Sequence, residues 1–118
     1  MGVRSDVGLA IKRNAYTSLT VEQRDKIADI LKEVTATLEH DEGFLFTWED
    51  VKWYTETYKE IVDLYKVLDE LQPADFSLVV ATPEDPLDTS DDRGDWYDNP
   101  WNLHKYSTCT IEFDIPQQ

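Results

Sequence analysis

The stretch DVGLAIK, Asp6 to Lys12, limits the fold more tightly than any other part of the chain. Val7, Leu9 and Ile11 alternate with Gly8 and Ala10, the period of two expected of a strand whose faces differ sharply in size. The branched face calls for an apolar layer against it. The narrow face, with almost no side chain, admits close packing and is expected to lie under a helix. At 118 residues the chain builds one core and not two, so this strand belongs to a single domain spanning 1–118.

The remaining segments supply what that strand needs. In LTVEQRDKIADILKEV, Thr20 stands three residues before Gln23 as in a capping box, and Val21, Ile27, Ile30, Leu31 and Val34 form one stripe of a helix. TATLEH-DEG-FLFTW reads as a hairpin with Gly43 closing the turn and Phe44, Phe46 and Trp48 on one face. A second helix carries Tyr58, Ile61, Val62, Leu64, Tyr65, Val67, Leu68 and Leu71, with capping-box spacing at Thr57 and Glu60 and a stop at Pro73. A strand follows in DFSLVVAT. After an acidic loop comes KYSTCTIEFDI, a last strand with Cys109, Ile111, Phe113 and Ile115 facing one way. The order β-α-β-β-α-β-β predicts an α+β fold: an antiparallel or mixed sheet of about five strands with two amphipathic helices on one face.

Charge is the second constraint. Residues 1–34 hold six basic and five acidic side chains and residues 35–118 hold five and twenty, so the later part carries essentially all of the net charge of −14. A field of that sign repels nucleic acid and anionic membrane and attracts basic surfaces. Direct nucleic-acid or membrane binding is therefore not expected. The single cysteine excludes an internal disulfide, and no signal peptide or spanning apolar run is visible, so a cytoplasmic setting is expected.

Catalytic motifs are missing from the pattern. The four glycines stand apart at 2, 8, 43 and 94, leaving no phosphate loop. His40 lies among Glu39, Asp41 and Glu42, but neighbours on a strand point to opposite faces and do not converge on a metal. His104 has no evident acid or nucleophile beside it, and Cys109 falls on an apolar face. Placing Gly94 at the sixth position of a calcium loop puts Thr89 where the first carboxylate belongs, so that pattern fails. The expectation is no catalysis, no cofactor and no defined metal site, with loose cation gathering by Asp88, Asp91, Asp92 and Asp95 as the chemistry left to an alternative metal-dependent hydrolase.

What remains is TPEDPLDTSDDRGDWYDNPW, residues 82–101. Glu84, Asp85, Asp88, Asp91, Asp92, Asp95 and Asp98 surround Arg93 and run straight into Trp96, Tyr97 and Trp101. Its proline, aspartate and glycine content predicts a surface loop with solvated carboxylates. Two roles compete for the aromatics: closing one end of the core as a lid, or anchoring a partner, as exposed Trp and Tyr commonly do. Taken as a partner site, these ten acidic and aromatic residues would meet an arginine-rich groove much as phosphates and bases do.

The segments MGVRSDVGLAIKRNAYTSLT and FLFTWEDVKWY resemble the opening half of small acidic proteins encoded by tailed bacteriophages. That resemblance implies an accessory protein that disables a host protein by binding it, with nucleic-acid mimicry as the mode suggested by the charge. The partner would be a basic, nucleic-acid-binding host protein or defence complex in the bacterial cytoplasm. The competing class is an assembly protein whose contact is apolar and whose charge only keeps it soluble. The sequence is silent on oligomeric state.

Overall fold

The computed structural model describes residues 4–55, 57–82, 91–106 and 110–116. The fold is α+β. Strand β1 (Ser5–Lys12) is followed by a short helix α1 (Arg13–Thr17), helix α2 (Val21–Lys32), the hairpin β2 (Ala36–His40) and β3 (Gly43–Val51), and helix α3 (Lys59–Asp69). A 3-10 turn at Pro73–Asp75 leads into β4 (Phe76–Ala81), then come β5 (Arg93–Gly94), β6 (His104–Tyr106) and β7 (Thr110–Glu112). Five strands form an antiparallel sheet in the order β2-β3-β1-β4-β5, and β6 and β7 pair with each other.

β1 is the central strand. Leu9 lies between Phe46 of β3 and Leu78 of β4, and Ala10 between Leu45 and Ser77. Its branched face, with Phe46, Trp48, Phe76, Leu78 and Val80, packs on Ile27 and Ile30 of α2 and on Ile61, Leu64 and Leu68 of α3. Removing a leucine of this kind fully from water contributes roughly 1.5–3 kcal/mol. Trp48 also donates its indole N–H to the Ile30 carbonyl at 2.9 Å, fastening sheet to helix without an orphaned polar atom.

The narrow face holds a correction. No helix among the described residues covers it: Trp96, Trp101 and Leu103 do, forming a second core with Ala10, Leu45 and Val79, against which Ile111 and Phe113 also pack. A Cβ on Gly8 would stand 2.6 Å from a Leu103 methyl and 3.2 Å from one of Ile111. The small residues of β1 thus admit an irregular, tryptophan-rich segment close to the backbone. A helix, 10–12 Å across with its side chains, is a bulkier cover.

Other local differences have local causes. The Thr20–Gln23 capping box forms in both directions, Gln23 N–H to Thr20 Oγ1 at 3.1 Å and Thr20 N–H to Gln23 Oε1 at 2.8 Å, but Val21 is exposed. At α3 the expected Thr57/Glu60 box does not form. Tyr58 is the N-cap and makes no side-chain cap bond, because Thr57 and Tyr58 turn their N–H groups back to the Tyr54 carbonyl. The final segment is not one strand but a hairpin, with His104 opposite Glu112. Asp114 N–H donates to the Trp101 carbonyl at 2.6 Å, which ties the returning arm to the segment that covers the sheet. Ile115 is exposed, and Cys109 lies outside the described residues.

Leu68→Asp places an unpaired carboxylate among Ile61, Leu64 and the sheet. It is expected to lower stability by roughly 3 kcal/mol or more, read as a shifted denaturant or thermal midpoint; an unshifted curve would mean that this face of α3 is not buried.

Candidate partner-binding surface

The acidic and aromatic stretch sorts into structural and solvated parts. Glu84, Asp85 and Asp88 lie outside the described residues. Asp91 offers its carbonyl to the Tyr65 hydroxyl at 2.6 Å, which anchors the start of the C-terminal segment to α3. Burial pushes the Tyr65 phenol well above the ordinary tyrosine range, so it remains a donor at any physiological pH.

Asp92 is a structural residue. Its Oδ1 accepts the Val80 N–H at 2.9 Å and lies 3.3 Å from Lys105 Nζ, whose side chain is 9% exposed. β5 pairs only with Ser77 and Leu78 of β4, so the carboxylate takes up the next outward N–H of that edge, as a further strand would. Arg93 is similarly engaged: its guanidinium lies 4.9 Å from the Tyr65 ring centroid, donates to the Asp92 carbonyl at 2.7 Å and approaches Asp69 at 3.8 Å. Gly94 is required at its position, since φ is +78° and a Cβ would run into the Phe76 carbonyl.

The tryptophans are core residues. Trp96 is 4% exposed and Trp101 1%, their rings edge-to-face at 6.2 Å. Lys12 Nζ lies over Trp96 at 5.7 Å and the His40 ring meets Trp101 edge-on at 6.1 Å. Asn99, itself buried, donates to the Trp96 carbonyl at 2.8 Å and accepts the Leu103 N–H at 3.1 Å, fixing the turn between the two rings. The lid role therefore describes both, and in this structure neither presents a surface anchor. Tyr97, 77% exposed, is the ring of the three that faces water.

Asp95 and Asp98 stand in water beside Tyr97, and Glu112 and Asp114 are exposed on the hairpin arm. Of the two cations of this layer, Lys105 is buried against Asp92, and Arg93, still partly exposed, lies over Tyr65 and beside Asp69. Carboxylates therefore outnumber cations in the exposed charge of the described 91–116 residues, with His104 beside Glu112 at 3.3 Å. The β2–β3 turn adds exposed Asp41 and Glu42, which line a cleft with Trp96, Lys12 and Arg13. The helix layer is different, because Lys26–Glu22 and Lys59–Asp63 pairs alternate sign there.

Around His40 the acidic side chains point to different partners. Glu39 turns to Arg13 at 2.8 Å and His40 Nδ1 accepts the Glu42 N–H at 3.0 Å. Among the described residues no group of three or more His, Cys, Asp or Glu side chains is placed to hold a metal ion. No described helix is long and apolar enough to cross a membrane. No family model, curated protein or solved structure matches this chain.

Sequence reasoning treated the carboxylates of 82–101 as equivalent. The sign that Asp92 differs, a carboxylate one register step beyond the two-residue β5, exists only once the strand pairing is known. Asp92→Ala is expected to cost roughly 1–3 kcal/mol and to strip the Val80 amide of exchange protection, because that buried N–H loses its acceptor. Asp95→Asn and Asp98→Asn should each stay within about 0.5 kcal/mol of the parent.

Proposed function

We propose that this protein is a non-catalytic, phage-type inhibitor that occupies the basic, nucleic-acid-binding surface of a host or defence protein, its carboxylates standing where phosphates would. The observation that supports the reading is that Lys105 is buried against Asp92 and Arg93 is engaged by Tyr65 and Asp69, while Asp95, Asp98, Glu112 and Asp114 are exposed on the same layer. A layer held rigid by buried tryptophans fixes those charges in space, so little is lost in ordering them when an arginine-rich groove arrives. Asp92 serves the fold through its carboxylate and Asp91 through its backbone carbonyl, and Trp96 and Trp101 act indirectly by holding the layer in place. Tyr97 is the contact ring on this side.

One observation favours the competing class of assembly protein: Tyr97 and Ile115 are both large, apolar and exposed on the same C-terminal segment. The two classes part on salt. A charge-driven complex weakens as the screening length falls from about 10 Å at 0.1 M toward 3 Å at 1 M, whereas an apolar contact does not.

Retrieval of partners from bacterial lysate at low and high salt tests the reading. The expected outcome is a basic, nucleic-acid-binding protein recovered at low salt only, with added nucleic acid competing for it. With that partner purified, Asp95→Asn/Asp98→Asn/Asp114→Asn should slow association, and Tyr97→Ala should mainly speed dissociation. A partner that carries nucleic acid and this protein together without mutual loss of affinity would exclude mimicry. Salt-tolerant binding abolished by Ile115→Asp would favour the assembly class.

A further inference from the structure

A second aromatic surface lies away from the acidic loop, where the end of β3 and the turn after it meet α2 and α3. A cleft of about 350 Å³ is lined there by Trp48, Trp53 and Tyr58, with Ile30 and Ile61 beneath. Both indole N–H groups are spent internally, Trp48 on the Ile30 carbonyl and Trp53 on the Tyr65 hydroxyl at 3.1 Å. The two indoles are sealed and form a rigid apolar floor. Tyr58 is only partly buried, and its ring is stacked on Tyr54 with centroids 5.8 Å apart and planes within 7°, which holds the plane of this lining aromatic.

The charged rim is mixed. Glu33, Glu60 and Asp50 line the cleft with Arg4 and Lys52. Arg4 donates to the Asp50 carbonyl at 3.1 Å, and the three carboxylates of the rim outnumber its two cations. Glu33 and Glu60 form no salt bridge within 4 Å among the described residues. A group that fills such a space must be flat on one side, tolerant of an apolar floor, and able to satisfy carboxylates at its edge. A guanidinium meets all three conditions: it is planar and weakly hydrated, stacks on aromatic faces and donates from its rim. An ammonium is compact and strongly hydrated, and it lacks the flat face.

We propose that this cleft is an arginine-binding pocket, in which an arginine side chain of the basic partner stacks on Tyr58 and is held by Glu33 and Glu60. The inference rests on the reading of the protein as a ligand of basic partners and adds to it a defined anchor point, remote from the Tyr97 layer. Two separated contacts on one molecule would fix its orientation on the partner, which diffuse charge alone does not do.

The test needs no partner. Acetyl-Ala-Arg-Ala-amide, its citrulline analogue and its lysine analogue are titrated into the labelled protein while backbone amide resonances are followed. The arginine peptide should shift amides of residues 30–33 and 51–61, and the citrulline peptide, isosteric but uncharged, should leave them in place. Glu33→Gln/Glu60→Gln should weaken binding by roughly fivefold or more, and Tyr58→Ala likewise, whereas Tyr58→Phe, which keeps the ring, should bind as the parent does. The same spectra report whether each variant is folded, and the Glu pair, exposed or half-exposed on the helices, covers the case in which Tyr58→Ala unfolds. Equal shifts from arginine and citrulline, or from arginine and lysine, would overturn the proposal. So would shifts confined to residues 91–98 and 110–114, or an unchanged Glu33→Gln/Glu60→Gln variant. Should the peptides fail while the Asp95/Asp98/Asp114 variant still loses its partner, the cleft is wrong and the acidic-layer reading stands.

Discussion

Everything in this molecule depends on β1 being buried on both sides by layers of unlike thickness. Val7, Leu9 and Ile11 engage two helices while Gly8 and Ala10 admit Trp101, Leu103 and Ile111. A strand with large residues on both faces would hold the second layer off and open the space around Leu45 and Val79. With glycine and alanine there, a segment in which no described residue is helical reaches the sheet closely enough to exclude water. The tryptophans supply in two side chains the apolar area that a helix would have provided in several.

The distribution of charge follows from that arrangement. The cations near the second layer, Lys12, Arg13, Arg93 and Lys105, are drawn onto aromatic rings or into pairs at or under the surface. Their long stems cover apolar atoms while the shorter carboxylates remain in water. Two aspartates are exceptions and do backbone work. Asp92 serves Val80 at one sheet edge, and Asp6 accepts the Asp50 N–H at 2.9 Å, where the β1–β3 register shifts and Asp50 takes a positive φ of 54°. An acceptor-only side chain suits both places, because each offers an unpaired N–H that no strand residue reaches.

Legibility in the sequence tracked how local the cause was. The Thr20–Gln23 cap and the β2–β3 hairpin arise from residues within a few positions of one another, and both could be read directly. So could the periodic stripes of α2 and α3, apart from Val21. The cover of the narrow face could not, because Trp101 meets Ala10 and Leu45 only through tertiary packing, and no spacing rule links residues so distant in the chain. For the same reason the surface role expected of Trp96 and Trp101 was not separable from a core role: a tryptophan beside aspartates looks alike in both. The break of the last strand into β6 and β7 had no periodic signature, since alternation continues through both arms. The Trp53–Tyr58 cleft went unread because Trp48 and Tyr58 were already accounted for by the hairpin face and the helical stripe, while Trp53 falls between elements and carries no periodic signal.

The Tyr65 hydroxyl joins parts of the chain that the two apolar cores leave separate. It receives Trp53 from the turn after β3 and gives its proton to Asp91 at the root of the C-terminal segment. Peeling that segment from the sheet would strand a phenol donor in an apolar setting, a penalty felt in the helix layer although the second core lies on the opposite face. The helix layer and the tryptophan cover are thereby joined by a hydroxyl as well as by the sheet they share, so loosening the cover costs the helix layer a buried hydrogen bond.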